Sequence, residues 1–209
     1  MSVTLINSPS TNPENKVIGF SGSPRKNGNS DILLKKIISG VKQEKIPADY
    51  WNLTEIQFKG CIGCEKCRTA KICTGLLDGM SLLYPKILSS KGLVLVSPTH
   101  NYNVTSWMKA FIDRLYCFYH FENNRPRSWY SQLNNQNRKA IIAAVCEQKS
   151  IEDMGFTLEA MKKPIEALGY EVVGELSVFN IFDKAKVKHD DQIMDKAYQL
   201  GKKLANSLK

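Results

Sequence analysis

Hydrophobic and polar positions along this chain switch repeatedly between two periods. Residues 17–20, Val-Ile-Gly-Phe, form a short apolar run and read as a strand. After a loop rich in Gly, Ser and Asn, apolar Leu34, Ile37, Ile38 and Val41 recur at i, i+3, i+4 and i+7, the stripe of an amphipathic helix. Residues 49–53 read as a second strand, and a helix over about 78–90 contains Pro85. Residues 92–97, Gly-Leu-Val-Leu-Val-Ser, are the clearest buried strand: continuous, β-prone and bounded by Gly and Pro. The loop 98–103 leads into a helix capped by Thr105 or Ser106, with Met108, Phe111, Ile112 and Leu115 on one face. Residues 140–145 are the next buried strand. A helix follows with Leu158, Met161, Ile165 and Leu168, a bend at Pro164 and a stop at Gly169. A strand over 171–176 and a helix from about Asp190 complete the chain.

Strand and helix thus alternate five times, with no internal repeat and no linker. That pattern predicts an α/β three-layer sandwich, with a five-stranded parallel sheet in the flavodoxin-like order 2-1-3-4-5. Ligands of such sheets sit beyond the carboxyl ends of the strands, where the first and third diverge. Both unusual loops, 22–30 and 98–103, fall at those ends. The expected organisation is a polar N-terminal arm over 1–15 and one domain over 16–209 that carries a cysteine loop at 60–74.

Composition narrows the function classes. No apolar run is long enough to span a bilayer, and the first residues show neither a basic n-region nor an apolar h-region, so a cytoplasmic location is expected. The net charge of +9 raises nucleic acid as a partner. However, the excess lies in scattered lysines such as Lys35, Lys36, Lys42, Lys184, Lys186 and Lys188, with no stacking aromatics between them. A solvated lysine surface is the better reading, one that can still serve an anionic partner such as NADPH or an acidic ferredoxin. No nucleic-acid or membrane partner is expected.

The chemistry starts in the run GSPRKNGNS, residues 22–30. Backbone amides at a helix start, the donors Ser23, Asn29 and Ser30, and the cation Arg25 together make an anion cradle. Neither G-x-G-x-x-G nor G-x-x-x-x-G-K-[ST] occurs, which disfavours a dinucleotide loop and a Walker loop. The run resembles the FMN phosphate loop of flavodoxin-like NAD(P)H-dependent flavin reductases. The segment SPTHNYNVTSWMKAFIDR, from Ser97, resembles the flavin-ring loop of the same family. The resemblance implies FMN contacts from Pro98, Thr99, His100, Asn101, Tyr102 and Asn103. Physically, an isoalloxazine needs an apolar wall and hydrogen bonds to its pyrimidine edge, which such residues can supply. Where many family members carry a glycine pair after the fourth strand, this chain reads Val-Cys-Glu-Gln-Lys-Ser over 145–150, and no contact is assigned there. The aromatic stretch 118–137 is too apolar to stay wholly exposed, and is expected to cover the flavin edge or a subunit interface.

Four of the six cysteines, Cys61, Cys64, Cys67 and Cys73, are spaced C-x2-C-x2-C-x5-C. Two-residue gaps let successive sulfurs converge, and a longer gap brings the fourth around. A metal or redox role comes before disulfides for such crowding. The motif resembles that of the iron–sulfur flavoproteins, in which four such cysteines hold a [4Fe–4S] cluster beside FMN. Unmetallated thiols and a zinc site remain open as alternatives. Cys117 and Cys146 read as buried thiols.

The chain is therefore read as an FMN-dependent oxidoreductase of iron–sulfur flavoprotein type, without a side chain needed as acid or base. Its donor or acceptor is a small molecule or a ferredoxin, with NAD(P)H as a candidate donor. A homo-oligomer, dimer or tetramer, is expected. The alternatives are an NAD(P)H-dependent FMN or quinone reductase without a cluster, and a non-enzymatic flavin carrier or regulatory protein.

Overall fold

Successive residues of the central strands point to opposite faces of the sheet, and the chain uses both faces. In the computed structural model, which describes residues 12–209, the first strand is β1 (Glu14–Ser21). Its Ile18 and Phe20 enter one core while Val17 enters the other. The next two long central strands, β3 (Ser90–Pro98) and β6 (Arg138–Val145), repeat the alternation: Leu93, Leu95, Ile142 and Ala144 face one way, Val94, Val96, Ile141 and Ala143 the other. A strand apolar on both faces must be covered on both. Helix α1 (Asn29–Gln43) and helix α7 (Asp191–Ser207) cover one side. Helices α3 (Met80–Ser89), α4 (Ser106–Arg114) and α6 (Thr157–Ala167) cover the other. Added Cβ atoms at Gly40 and Gly201 would overlap the facing helix backbone, so α1 and α7 cross at close range.

With β2 (Ala48–Asn52) and β7 (Tyr170–Val178), the sheet runs β2-β1-β3-β6-β7, all parallel. This is the expected flavodoxin-like 2-1-3-4-5 order, because β4 (Tyr119–Phe121) and β5 (Trp129–Ser131) form a separate antiparallel hairpin. The arm expected over 1–15 lies outside the described residues as far as residue 11, and Glu14 and Asn15 already belong to β1. Two short helices interrupt expected loops: α2 (Cys67–Ala70) inside the cysteine loop and α5 (Ile151–Met154) before α6. No helix among the described residues is long and apolar enough to cross a membrane.

Candidate functional site

After β1 the chain turns through residues 22–28 into α1. Gly28 occupies the N-cap and has no side chain to cap the helix, so first-turn amides remain for a ligand. The loop is held from behind. Thr105 Oγ1 donates to the Gly22 carbonyl (2.7 Å), and Asn52 Nδ2 donates to the Ser23 carbonyl (3.0 Å). The same amide donates to Asp31 Oδ1 (2.9 Å), while Asp31 Oδ2 accepts the Asn27 N–H (2.7 Å). The buried Asp31 carboxylate thus supports the loop from its far side and has no oxygen aimed at the anion site.

A cavity of about 140 Å³ lies in front of this loop, beyond the carboxyl ends of β1 and β3, where the strand order reverses. Ser23, Arg25, Asn29 and Ser30 line it from the first loop and helix, and Pro98, Thr99 and His100 from the second loop. Val145, Glu147, Ile181 and Phe182 complete the wall from the chain after β6 and β7. Val145 and Glu147 fall in the segment 145–150, where the sequence departs from the glycine pair of the family it resembles and no contact is assigned; Ile181 and Phe182 carry no motif, and sequence reasoning missed them.

The last segment also changes the roles of two predicted residues. Asn29 Nδ2 donates to the Asp183 carbonyl (3.0 Å), and its side-chain oxygen accepts from the Val187 N–H (3.1 Å). Its side chain therefore ties down the segment after β7 and is not free to act as the expected anion donor. Arg25 Nη1 donates to the Phe182 carbonyl (2.8 Å), with the guanidinium 4.5 Å from the Phe182 ring centroid. The cation is thereby positioned before any ligand arrives.

Asn101, Tyr102 and Asn103 do not line the cavity; they form a tight turn at its rim. The His100 N–H donates to the Asn103 carbonyl (2.8 Å), and the Asn103 N–H returns to the His100 carbonyl (3.1 Å). Both central residues are left-handed, Asn101 at φ 49° and Tyr102 at φ 63°. Asn accepts this conformation readily, whereas a bulky Tyr is strained in it. The strain is braced from the chain before α6. The Phe156 N–H donates to the Tyr102 carbonyl (2.8 Å), and a Cβ on Gly155 (φ 58°) would lie 2.5 Å from that oxygen and 2.6 Å from Tyr102 Cβ. Gly155→Ala is accordingly expected to cost about 1–3 kcal/mol through strain and the displaced turn. Denaturant melts check this, and a variant as stable as the parent would show that the brace is unimportant.

The four cysteines line one mostly apolar pocket of about 280 Å³ together with Leu76, Arg114 and Tyr116. Left-handed turns at Gly63, Glu65 and Lys71 wrap the chain so that Cys61, Cys64, Cys67 and Cys73 face it. Burial pushes the Cys67 thiol pKa up, and the neighbouring Cys73, Cys61 and Cys64 add to the shift. Among the described residues, no three His, Cys, Asp or Glu side chains converge closely enough to hold a single metal ion. A cubane cluster takes each thiolate on a different iron and so suits four sulfurs around a void, whereas one zinc ion demands a tight tetrahedron. Cys117 and Cys146 are buried, as expected, and burial pushes the Cys117 thiol up to about 12.

Arg114, the last residue of α4, anchors both ends of this loop and was not singled out in the sequence. Its guanidinium donates to Asp78 through Nη1 (2.8 Å) and Nη2 (3.1 Å), and Nη1 also donates to the Lys59 carbonyl (2.8 Å). The aromatic hairpin packs against the same loop. The Arg68 guanidinium of α2 lies 5.0 Å from the Phe121 ring centroid, and Gln132 Nε2 donates to the Lys71 carbonyl (3.5 Å). No hairpin residue is among those that line the cavity between the first and second loops; the contacts through Phe121 and Gln132 are with the cysteine loop.

Known proteins share this sequence pattern and fold. Residues 15–149 match the family described as NADPH-dependent FMN reductase. An iron–sulfur flavoprotein of Methanocaldococcus jannaschii is 26% identical over 93% of this chain and 97% of its own length. Another from Archaeoglobus fulgidus is 31% identical over 74% of this chain and 69% of its own. Among solved structures, an FMN-dependent NADH-azoreductase of Bacillus anthracis in complex with FMN superposes with a TM-score of 0.64 at 15% identity, covering 93% of this chain and 99% of that one. The match over residues 15–149, with the iron–sulfur flavoprotein relatives, places the chain in the NADPH-dependent FMN reductase family, alongside iron–sulfur flavoproteins.

Proposed function

We propose that this FMN-dependent oxidoreductase binds the FMN phosphate at the start of α1 and the flavin ring beside residues 98–103, and that its cysteine loop carries a [4Fe–4S] cluster. The observation that supports it most is convergence: the first-turn amides, Ser23, Ser30 and Arg25 share one cavity with Pro98, Thr99 and His100. That donor set fits a phosphate and the edge of a flat ring. FMN supplies hydride and electron chemistry when bound. Around it, the first-turn amides and Ser30 hold the phosphate, Arg25 neutralises it, and the Pro98 wall orients the ring. Four thiolates around an apolar void suit a cluster that exchanges single electrons with an outside carrier such as a ferredoxin.

A second reading, an NAD(P)H-dependent FMN or quinone reductase without a cluster, draws on the family description and on thiols that do not close on a single ion. The FMN half is common to both. Titrating apoprotein with FMN tests it: Arg25→Ala should weaken binding by about 1–3 kcal/mol, the range for a charged hydrogen bond lost at a ligand. Equal affinity for variant and parent would remove Arg25 from the site. An apoprotein that takes up no FMN would end the reading.

A further inference from the structure

Arg25 is long and exposed, and such a cation binds an anion well only when its geometry is fixed beforehand, because a side chain ordered on binding costs affinity. Both ends of Arg25 are held. At the backbone, its N–H donates to Ser23 Oγ (3.2 Å), and its carbonyl accepts from the Gly28 N–H (2.8 Å). At the guanidinium, the contact comes from 157 residues along the chain: Nη1 donates to the Phe182 carbonyl, and the Phe182 ring covers the group.

The segment that makes this contact is itself tied down from two sides. The Asn180 N–H donates to the Gln148 carbonyl (3.1 Å) and the Ile181 N–H to the Cys146 carbonyl (3.3 Å), both in the chain after β6. On the other side the Asn29 side chain, at the start of α1, bonds Asp183 and Val187. Ile181 and Val187 are buried, whereas Phe182 between them lines the flavin cavity and is still 51% exposed. A half-exposed phenyl ring on a fixed segment adds little to the core, and the group it covers is Arg25. The guanidinium keeps its other N–H donors. Among the described residues Arg25 makes no ion pair: the Asp183 carboxylate stands by Lys186 (3.9 Å), and Glu147 lines the same cavity outside ion-pair distance.

We propose that Phe182 is a positioning residue that sets the preference of the site for a phosphorylated over an unphosphorylated flavin. It does so by holding the Arg25 guanidinium in place for the phosphate and keeping water from one of its faces. The proposal rests on the FMN reading above, in which Arg25 meets the phosphate; the Phe182 ring acts through Arg25 and not through the flavin.

The test titrates apoprotein with FMN and with riboflavin, which is FMN without the phosphate. Phe182→Ala should weaken FMN binding about three- to tenfold, the cost of ordering one long side chain, and leave the riboflavin affinity unchanged. Phe182→Tyr, which keeps an aromatic face, should restore the FMN affinity. In a double-mutant cycle, adding Phe182→Ala to Arg25→Ala should weaken FMN binding no further. Equal losses for FMN and riboflavin would mean that the ring packs on the flavin itself, and additive losses in the cycle that it works apart from Arg25. Either result overturns the proposal, as does a Phe182→Ala variant with the parent's FMN affinity. The earlier reading fails separately: an Arg25→Ala variant with unchanged FMN affinity removes Arg25 from the site, whereas a loss on Arg25→Ala without one on Phe182→Ala defeats the role of Phe182 alone.

Discussion

Replacing Arg114 by Met is expected to destabilise the protein by about 3–5 kcal/mol, the cost of leaving one partner of a buried ion pair behind. The Arg114 side chain is 1% exposed and that of Asp78 16%. One guanidinium forks onto Asp78, reaches the Lys59 and Leu76 carbonyls, and donates through Nε to the Tyr84 hydroxyl (3.1 Å). It therefore closes the loop 59–78 at its base, and the Met variant should lose the cysteine pocket before the sheet. Lys should not rescue it, because an ammonium cannot make the two-pronged contact. Burial disfavours the Asp78 carboxylate, but the Arg114 fork and the Lys59 and Met80 amides outweigh it and hold its pKa below the ordinary value. The sign follows: the stabilisation is complete above the unfolded carboxylate pKa, near 4, and is lost as pH falls through the lower folded value. Urea melts at neutral and acid pH, with limited proteolysis across 59–78, measure both effects. A Met variant with the parent's midpoint and cleavage pattern would refute the clamp.

For protein prepared without oxygen and reconstituted with iron and sulfide, Ser in place of any one of Cys61, Cys64, Cys67 or Cys73 should remove most of the iron and acid-labile sulfide. The four share one pocket, and each neighbour makes a Cys67 thiolate harder to form. A cationic iron centre reverses that penalty for all four together, so loss should be collective. FMN content should change much less, because its cradle lies in the separate loop 22–30. Cys117→Ser should retain iron, since that buried thiol stands outside the pocket wall. Wild-type protein that holds no iron after reconstitution would sink the cluster assignment. The function would then revert to NAD(P)H-dependent flavin or quinone reduction. Graded, unequal losses among the four variants would favour separate thiols.

Local chemistry made much of this protein readable in one dimension. The apolar runs at 17–20, 92–97 and 140–145 became buried strands because only a sheet covered on both faces accommodates residues apolar at every position. The helix stripe through Leu34, Ile37, Ile38 and Val41, the Thr105 cap and the stop at Gly169 depend on neighbours within a few residues, and all appear as read. The polar loop 22–30 and the cysteine spacing stood out for the same reason, since each packs its polar or sulfur groups into one short segment.

What the sequence left open involves partners far apart in the chain. Ile181 and Phe182 reach a cavity begun at Ser23 only because β7 stands at the edge of the sheet. Asn29 reads as a phosphate donor until Asp183 and Val187 claim its side chain. Arg114 looks like an ordinary helix-end cation, and Asp78 like a helix start, until folding places them in one buried fork. Tyr102 can hold its strained turn only because Gly155, on another segment, leaves room behind it. Periodicity and short motifs record a residue's neighbours along the chain. Burial, ion pairing and backbone strain depend on neighbours in space, and for those residues only the tertiary structure decides.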